Sequence, residues 1–171
     1  MFDNIKKKIY KKYNPIKYAQ SMGVKIGENC EFQNDIFWGS EPYLIKIGNN
    51  VRITKGTKFV THDGGVHVLR NIYENEKNID VFGKIEIGNN VHIGFDTIIM
   101  PNVKIGNNCI IACGAVVTKN VEDNTIVAGV PARKIESLDE YYEKVKNKCD
   151  YTKHFTKIEK KKYLFEKYNI N

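Results

Sequence analysis

Residues 87–117, IGNNVHIGFDTIIMPNVKIGNNCIIACGAVV, place an aliphatic side chain at every sixth position: Ile87, Ile93, Ile99, Ile105, Ile111 and Val117. Four residues after each of the first five comes a small or β-branched residue: Val91, Thr97, Val103, Cys109 and Ala115. The same reading fits Ile47, Ile53 and Phe59, with Val51 and Thr57 as the small positions. The string IGNN itself recurs at Ile47–Asn50, Ile87–Asn90 and Ile105–Asn108, with the variant IGEN at Ile26–Asn29. A period of six is neither the 3.6 of an amphipathic helix nor the 2 of a half-buried strand. It suits a coil of flat faces with a tight corner every six residues, the aliphatic residue pointing inward from each face. Glycine and asparagine tolerate the backbone angles such corners need. Successive coils would pair at about 4.8 Å. One repeat cannot bury its own face, so the stack is the folding unit.

Working outward, the register breaks after FVTHDGG (residues 59–65) and resumes near Val81. The segment between, read as a loop over residues 66–80, turns polar with Asn71, Glu74, Asn75, Glu76 and Lys77. Insertions in repeat proteins leave from corners and often carry function. Upstream, Asn14-Pro15 reads as a cap followed by proline in the first helical turn, opening a helix that ends at Gly23 and closes one end of the stack. Downstream of Ile135, Ser137 and Glu140 form a capping-box pattern ahead of a charged helix. A second helix is expected over residues 155–168. The resulting organisation is an N-terminal helical cap (1–23), a repeat domain (24–135) and a C-terminal helical extension (136–171).

Composition narrows the class. The 171 residues are 42% hydrophobic and 27% charged, enough for one domain with a core. No apolar run is long enough to span a membrane, and no apolar stretch follows Lys6, Lys7 and Lys8 to make a secretory signal. The expected location is the cytoplasm. Cys30, Cys109, Cys113 and Cys149 lack zinc-ribbon spacing and are read as reduced thiols. The net charge of +7 is concentrated in lysines near both ends, Lys6–Lys12 and Lys157–Lys162, with no nucleic-acid-binding fingerprint. Solvated helix faces are the preferred reading, with at most peripheral attraction to an anionic membrane.

The repeat, from about Val24 to Ile135, resembles the hexapeptide-repeat acyltransferase family, including sugar and capsular polysaccharide O-acetyltransferases and the maltose and galactoside acetyltransferases. The resemblance implies an all-β core wound as a left-handed parallel β-helix, a homotrimer, and acetyl-CoA as acyl donor with no metal. The left hand, opposite to the usual crossover rule, comes from the resemblance alone. THDGG looks like the family's active-site run, which makes His62 the candidate general base. An imidazole is suited to take a proton from a hydroxyl near neutral pH.

Position by position, the resemblance gives Phe95 and Cys113 main-chain contacts to the acyl donor, and sets Thr118 and Lys119 along its arm. Arg133 and Lys134 face the nucleotide end, where cations meet phosphates. Acceptor candidates are Asn34, Asp35, Glu41 and His92, and Glu41 is the carboxylate chosen to orient the imidazole.

The implied reaction is direct transfer of acetyl to a sugar hydroxyl, free or lipid-linked, in bacterial surface-glycan biosynthesis. N-acetylation of an amino sugar is the enzymatic alternative. Serine acetylation is disfavoured because the large helical N-terminal domain typical of those enzymes is not seen. A zinc carbonic anhydrase using His62, His67 and His92 is a further alternative, although their order differs from that class. A non-catalytic β-helix scaffold is the last.

Overall fold

The computed structural model describes Tyr10 and residues 13–170. The N-terminal lysines between Lys6 and Lys12, read above as a solvated face, lie outside the described residues. The chain divides after Asp139 into two compact units.

In the first unit, the helix α1 (Pro15–Ser21) opens as expected, with Lys17 N–H donating to the Asn14 side chain at 2.9 Å. It is followed by β1 (Lys25–Ile26), β2 (Glu31–Phe32), β3 (Ile45–Ile47), β4 (Arg52–Ile53) and β5 (Lys58–Phe59). After the helix α2 (Val66–Ile72) come β6 (Ile85–Ile87), β7 (His92–Ile93), β8 (Ile98–Ile99), β9 (Lys104–Ile105), β10 (Ile110–Ile111) and β11 (Val116–Val117). The strands β12 (Thr125–Ala128) and β13 (Arg133–Ser137) close the unit.

These strands form three sheets, ordered β1-β3-β6-β9, β13-β12-β10-β7-β4-β2 and β11-β8-β5. The chain visits the three in rotation, so each circuit lays a parallel strand on the one before. Columns of like residues result: Ile26–Ile47–Ile87–Ile105 on one sheet and Phe32–Ile53–Ile93–Ile111–Val127 on the next. Phe59–Ile99–Val117 fills the third. Ile53, Phe59, Ile93, Ile99, Ile105 and Ile111 are fully buried. Each such side chain contributes about 1.5–3 kcal/mol by leaving water. The small positions close the gaps, and the two threonines among them bond locally. Thr57 and Thr97 hydroxyls donate to the Thr54 and Gly94 carbonyls at 2.9 and 2.8 Å.

The IGNN corner works by division of labour between its two asparagines. The first accepts from the backbone of the neighbouring coil: Asn49 N–H to Asn89 Oδ1 at 2.8 Å and Asn89 N–H to Asn107 Oδ1 at 2.9 Å. The second takes the left-handed backbone, with φ of 56° at Asn50 and 55° at Asn90 and Asn108. Glycine precedes them because the coils touch there. A Cβ on Gly48 would sit 2.6 Å from the Gly88 carbonyl oxygen.

At the far end of the stack β13 runs antiparallel to β12, a reversal that the hexapeptide spacing does not encode. At the near end Ala19 of α1 is buried within the same core cluster. In the second unit the helix α4 (Lys157–Lys167) carries a capping box. Glu159 N–H donates to Thr156 Oγ1 at 3.3 Å and Thr156 N–H donates to Glu159 Oε2 at 2.7 Å. The helix α3 (Leu138–Val145) leads into this unit directly after Ser137. No helix among the described residues is long and apolar enough to cross a membrane.

Candidate functional site

Strand pairing locates where the coil is interrupted. Phe37, Lys58 and Ile98 are register partners before the corner that joins the third sheet to the first, and Lys46, Glu86 and Lys104 are partners after it. Ile98 to Lys104 crosses that corner in six steps, whereas Lys58 to Glu86 takes 28 and Phe37 to Lys46 takes nine. Two successive coils therefore bulge from one corner, the first by three residues and the second by 22. The longer excursion begins earlier than residue 66. His62 pairs with Phe82 in an antiparallel bridge, Asp63 N–H donates to Val81 O at 2.8 Å, and Gly83 N–H donates to Thr61 O at 2.9 Å. His62 thus stands at the neck of the excursion and not on a regular corner.

The first part of the excursion is helical, α2, where the sequence had suggested only a loop. Arg70 fastens α2 to the return limb through an ion pair with Asp80 and a 2.8 Å bond to the Ile79 carbonyl.

Because the bulges are neighbours, the shorter one delivers Glu41 to His62. Glu41 Oε2 lies 3.3 Å from His62 Nδ1. Nδ1 is buried and within ion-pair range, without a formed hydrogen bond. The same carboxylate oxygen accepts from the Thr61 hydroxyl at 2.7 Å, while Glu41 N–H donates to Thr61 Oγ1 at 3.2 Å. The His62 side chain is 42% exposed and that of Glu41 17%, so the ring reaches solvent and its carboxylate partner lies behind it. Beneath the short bulge Trp38 stacks on Phe59, with ring centroids 4.9 Å apart. An imidazole backed by a carboxylate and open on its outer side can serve as a general base.

The other candidates separate into three places. Asn34 and Asp35 do not join His62. They line a cleft of ≈ 310 Å³ with Phe37, Lys58 and Asp96, at the corner between the second and third sheets. Phe95 and Cys113 belong to that same corner. Gly114 N–H donates to the Phe95 carbonyl at 2.7 Å, and a Cβ on Gly94 would meet Cys113 N at 2.5 Å.

Lys119, Arg133 and Lys134 converge on a second cleft of ≈ 260 Å³, formed where β13 turns back beside β12. Thr118 is exposed next to Lys119. Glu122 lines the same cleft, so three cations face one carboxylate there, a balance that suits an anionic ligand.

His92 stands apart from both, on the second sheet, in a cleft of ≈ 280 Å³ with Arg52 and Leu138. Burial pushes its pKa below the usual histidine value, and the neighbouring Arg52 charge pushes the same way. His67 lies in α2, its Nε2 3.4 Å from the Asn71 amide nitrogen. Among the described residues no three His, Cys, Asp or Glu side chains gather as a metal site, so His62, His67 and His92 do not converge.

Thr61 was missed in the sequence, although it stands within the THDGG run. Its relation to Glu41 depends on a coil offset that only strand register reveals.

A family model described as "Bacterial transferase hexapeptide (six repeats)" matches residues 84–119. The chain is 49% identical over 154 residues to Protein CapG of Staphylococcus aureus, covering 89% of this chain and 88% of that protein. It is 33% identical over 127 residues to galactoside O-acetyltransferase of Escherichia coli K12, covering 74% of this chain and 60% of that one. A hexapeptide-repeat acetyltransferase of Vibrio cholerae, solved with acetyl coenzyme A, superposes with a TM-score of 0.64 at 20% identity, covering 80% and 85% of the two chains.

Proposed function

The chain belongs to the hexapeptide-repeat acyltransferases, and from that premise we propose that it acetylates a sugar hydroxyl with His62 as general base. It is an acetyl-CoA-dependent O-acetyltransferase. The family's left-handed winding is assigned to its coil, a homotrimer to its assembly, and the cytoplasmic stage of surface-glycan biosynthesis to its setting. The sugar acceptor rests on likeness to galactoside O-acetyltransferase, and the glycan setting on the resemblance of the THDGG run to sugar and capsule O-acetyltransferases.

The observation that carries the mechanism is the half-exposed His62 ring with its buried Nδ1 3.3 Å from Glu41 Oε2. Glu41 favours the tautomer with the proton on Nδ1, which leaves Nε2 to accept. His62 Nε2 takes the acceptor hydroxyl proton as that oxygen attacks the thioester carbonyl. The tetrahedral intermediate collapses, the C–S bond breaks, and the imidazolium returns the proton to the departing thiolate. Arg133 and Lys134 hold the phosphates of the donor, Thr118 and Lys119 lie along its arm, and Phe95 and Cys113 offer it main-chain contacts.

The test is His62→Ala. Turnover, followed by thiol release over a panel of glycosides, should fall by roughly 10²–10⁴, the worth of a positioned acid–base group. Acetyl-CoA affinity should be retained, and the acid limb of the pH–rate profile should disappear. An active His62→Ala enzyme would place the chemistry on another residue.

A further inference from the structure

We propose that Thr61 is a positioning residue for the transfer reaction, its hydroxyl clamping the Glu41 carboxylate against the base; this rests on the reading of His62 above. Thr61 is fully buried, and it contacts Glu41 twice. Its Oγ1 accepts the Glu41 backbone N–H at 3.2 Å, which occupies a lone pair, and its single proton goes to Glu41 Oε2 at 2.7 Å. A hydroxyl engaged from both sides cannot rotate freely, so its proton is committed to one carboxylate oxygen.

That oxygen is also the one 3.3 Å from His62 Nδ1. One oxygen therefore meets both the hydroxyl and the ring, so holding it in place fixes its distance to the imidazole. The short bulge lies flush on Thr61. At Gly39, where φ is +71°, an added Cβ would stand 2.5 Å from Thr61 Oγ1 and 3.1 Å from its Cγ2. Glycine in a left-handed conformation therefore lets the bulge close over the threonine. Buried Nδ1 has no formed hydrogen bond of its own, so its orientation depends on where Glu41 is held. Thr61 fixes that place without touching a reactant.

A threonine that merely tied a loop to the coil would show the same contacts, and a double-mutant cycle separates the two roles. Thr61→Val should lower kcat by roughly 10–100-fold, the usual loss when a supporting partner is removed, with the KM for acetyl-CoA little changed. Thr61→Ser keeps the hydroxyl and should restore most of the turnover. In a Glu41→Ala background Thr61→Val should add almost nothing, because the two act as one unit.

Full activity of Thr61→Val would overturn the proposal, as would losses that multiply in the double variant. If Thr61→Val does not fold, Thr61→Ser against Thr61→Ala decides on the same criterion, equal kcat overturning it. His62→Ala is run alongside. If it is active, the base assignment itself fails. If it is inactive while Thr61→Val is normal, only the role of Thr61 is lost.

Discussion

At the scale of single residues the coil is least forgiving where backbones touch. Gly48→Ala would force a Cβ to 2.6 Å from both the Gly88 carbonyl oxygen and Asn89 Oδ1, neither of which can retreat without breaking the corner ladder. It should destabilise the fold by about 1–3 kcal/mol, read as a lowered urea midpoint. Gly64 has nothing within 4 Å of such a Cβ, and Gly64→Ala should leave the midpoint nearly unchanged. His92 brings a pH term. Its folded pKa lies below the ordinary value of 6.5, through burial first and Arg52 second, so the fold prefers the neutral ring. Its stabilising contribution is complete above pH 6.5 and is lost as pH falls from there toward the folded pKa. His92→Gln should flatten the decline of the thermal midpoint below pH 6.5; an unchanged slope would show that His92 does not carry it.

At the scale of elements, the strands were legible because inward residues repeat every six positions, and the helix α1 because Asn14 and Pro15 mark its start. The helix α2 was not legible. It has seven residues and no side-chain cap at Gly65, and Val68, Leu69 and Ile72 face solvent, so no buried stripe announces it. Nor does the sequence state that Glu41 meets His62, because two bulges of different length must first be stacked in register. His62 itself is singled out by resemblance to a motif, and the contact with Glu41 follows only when the coils are aligned.

The reversal into β13 was equally silent, yet it brings Arg133 and Lys134 back beside Lys119. Each charge-assisted phosphate contact contributes about 1.5–3 kcal/mol before screening. Arg133→Ala combined with Lys134→Ala should therefore weaken acetyl-CoA more than its analogue lacking the 3′-phosphate. Equal losses in calorimetry would show that this pair does not read that phosphate.

At the scale of the whole molecule, the proposed base and part of the proposed donor-binding set do not share an edge of one coil. His62 and Glu41 occupy the corner between the third and first sheets, whereas Phe95 and Cys113 occupy the corner before it. A site between copies would unite them. The excursion supplies apolar surface for such an assembly: Val68, Leu69, Ile72, Tyr73, Val81 and Phe82 are all exposed. Exposed apolar clusters of this kind mark protein contacts, and a cyclic trimer repeats one contact three times until it closes. Light scattering at micromolar concentration should give three times the chain mass. Val68→Asp combined with Ile72→Asp, one turn apart on α2, should dissociate the trimer and remove turnover while the circular dichroism of the coil persists. Each chain would then keep its His62–Glu41 pair but lose the corner of its neighbour. A wild-type monomer with full activity, or a doubly substituted protein that remains an active trimer, would mean that one chain assembles the site alone.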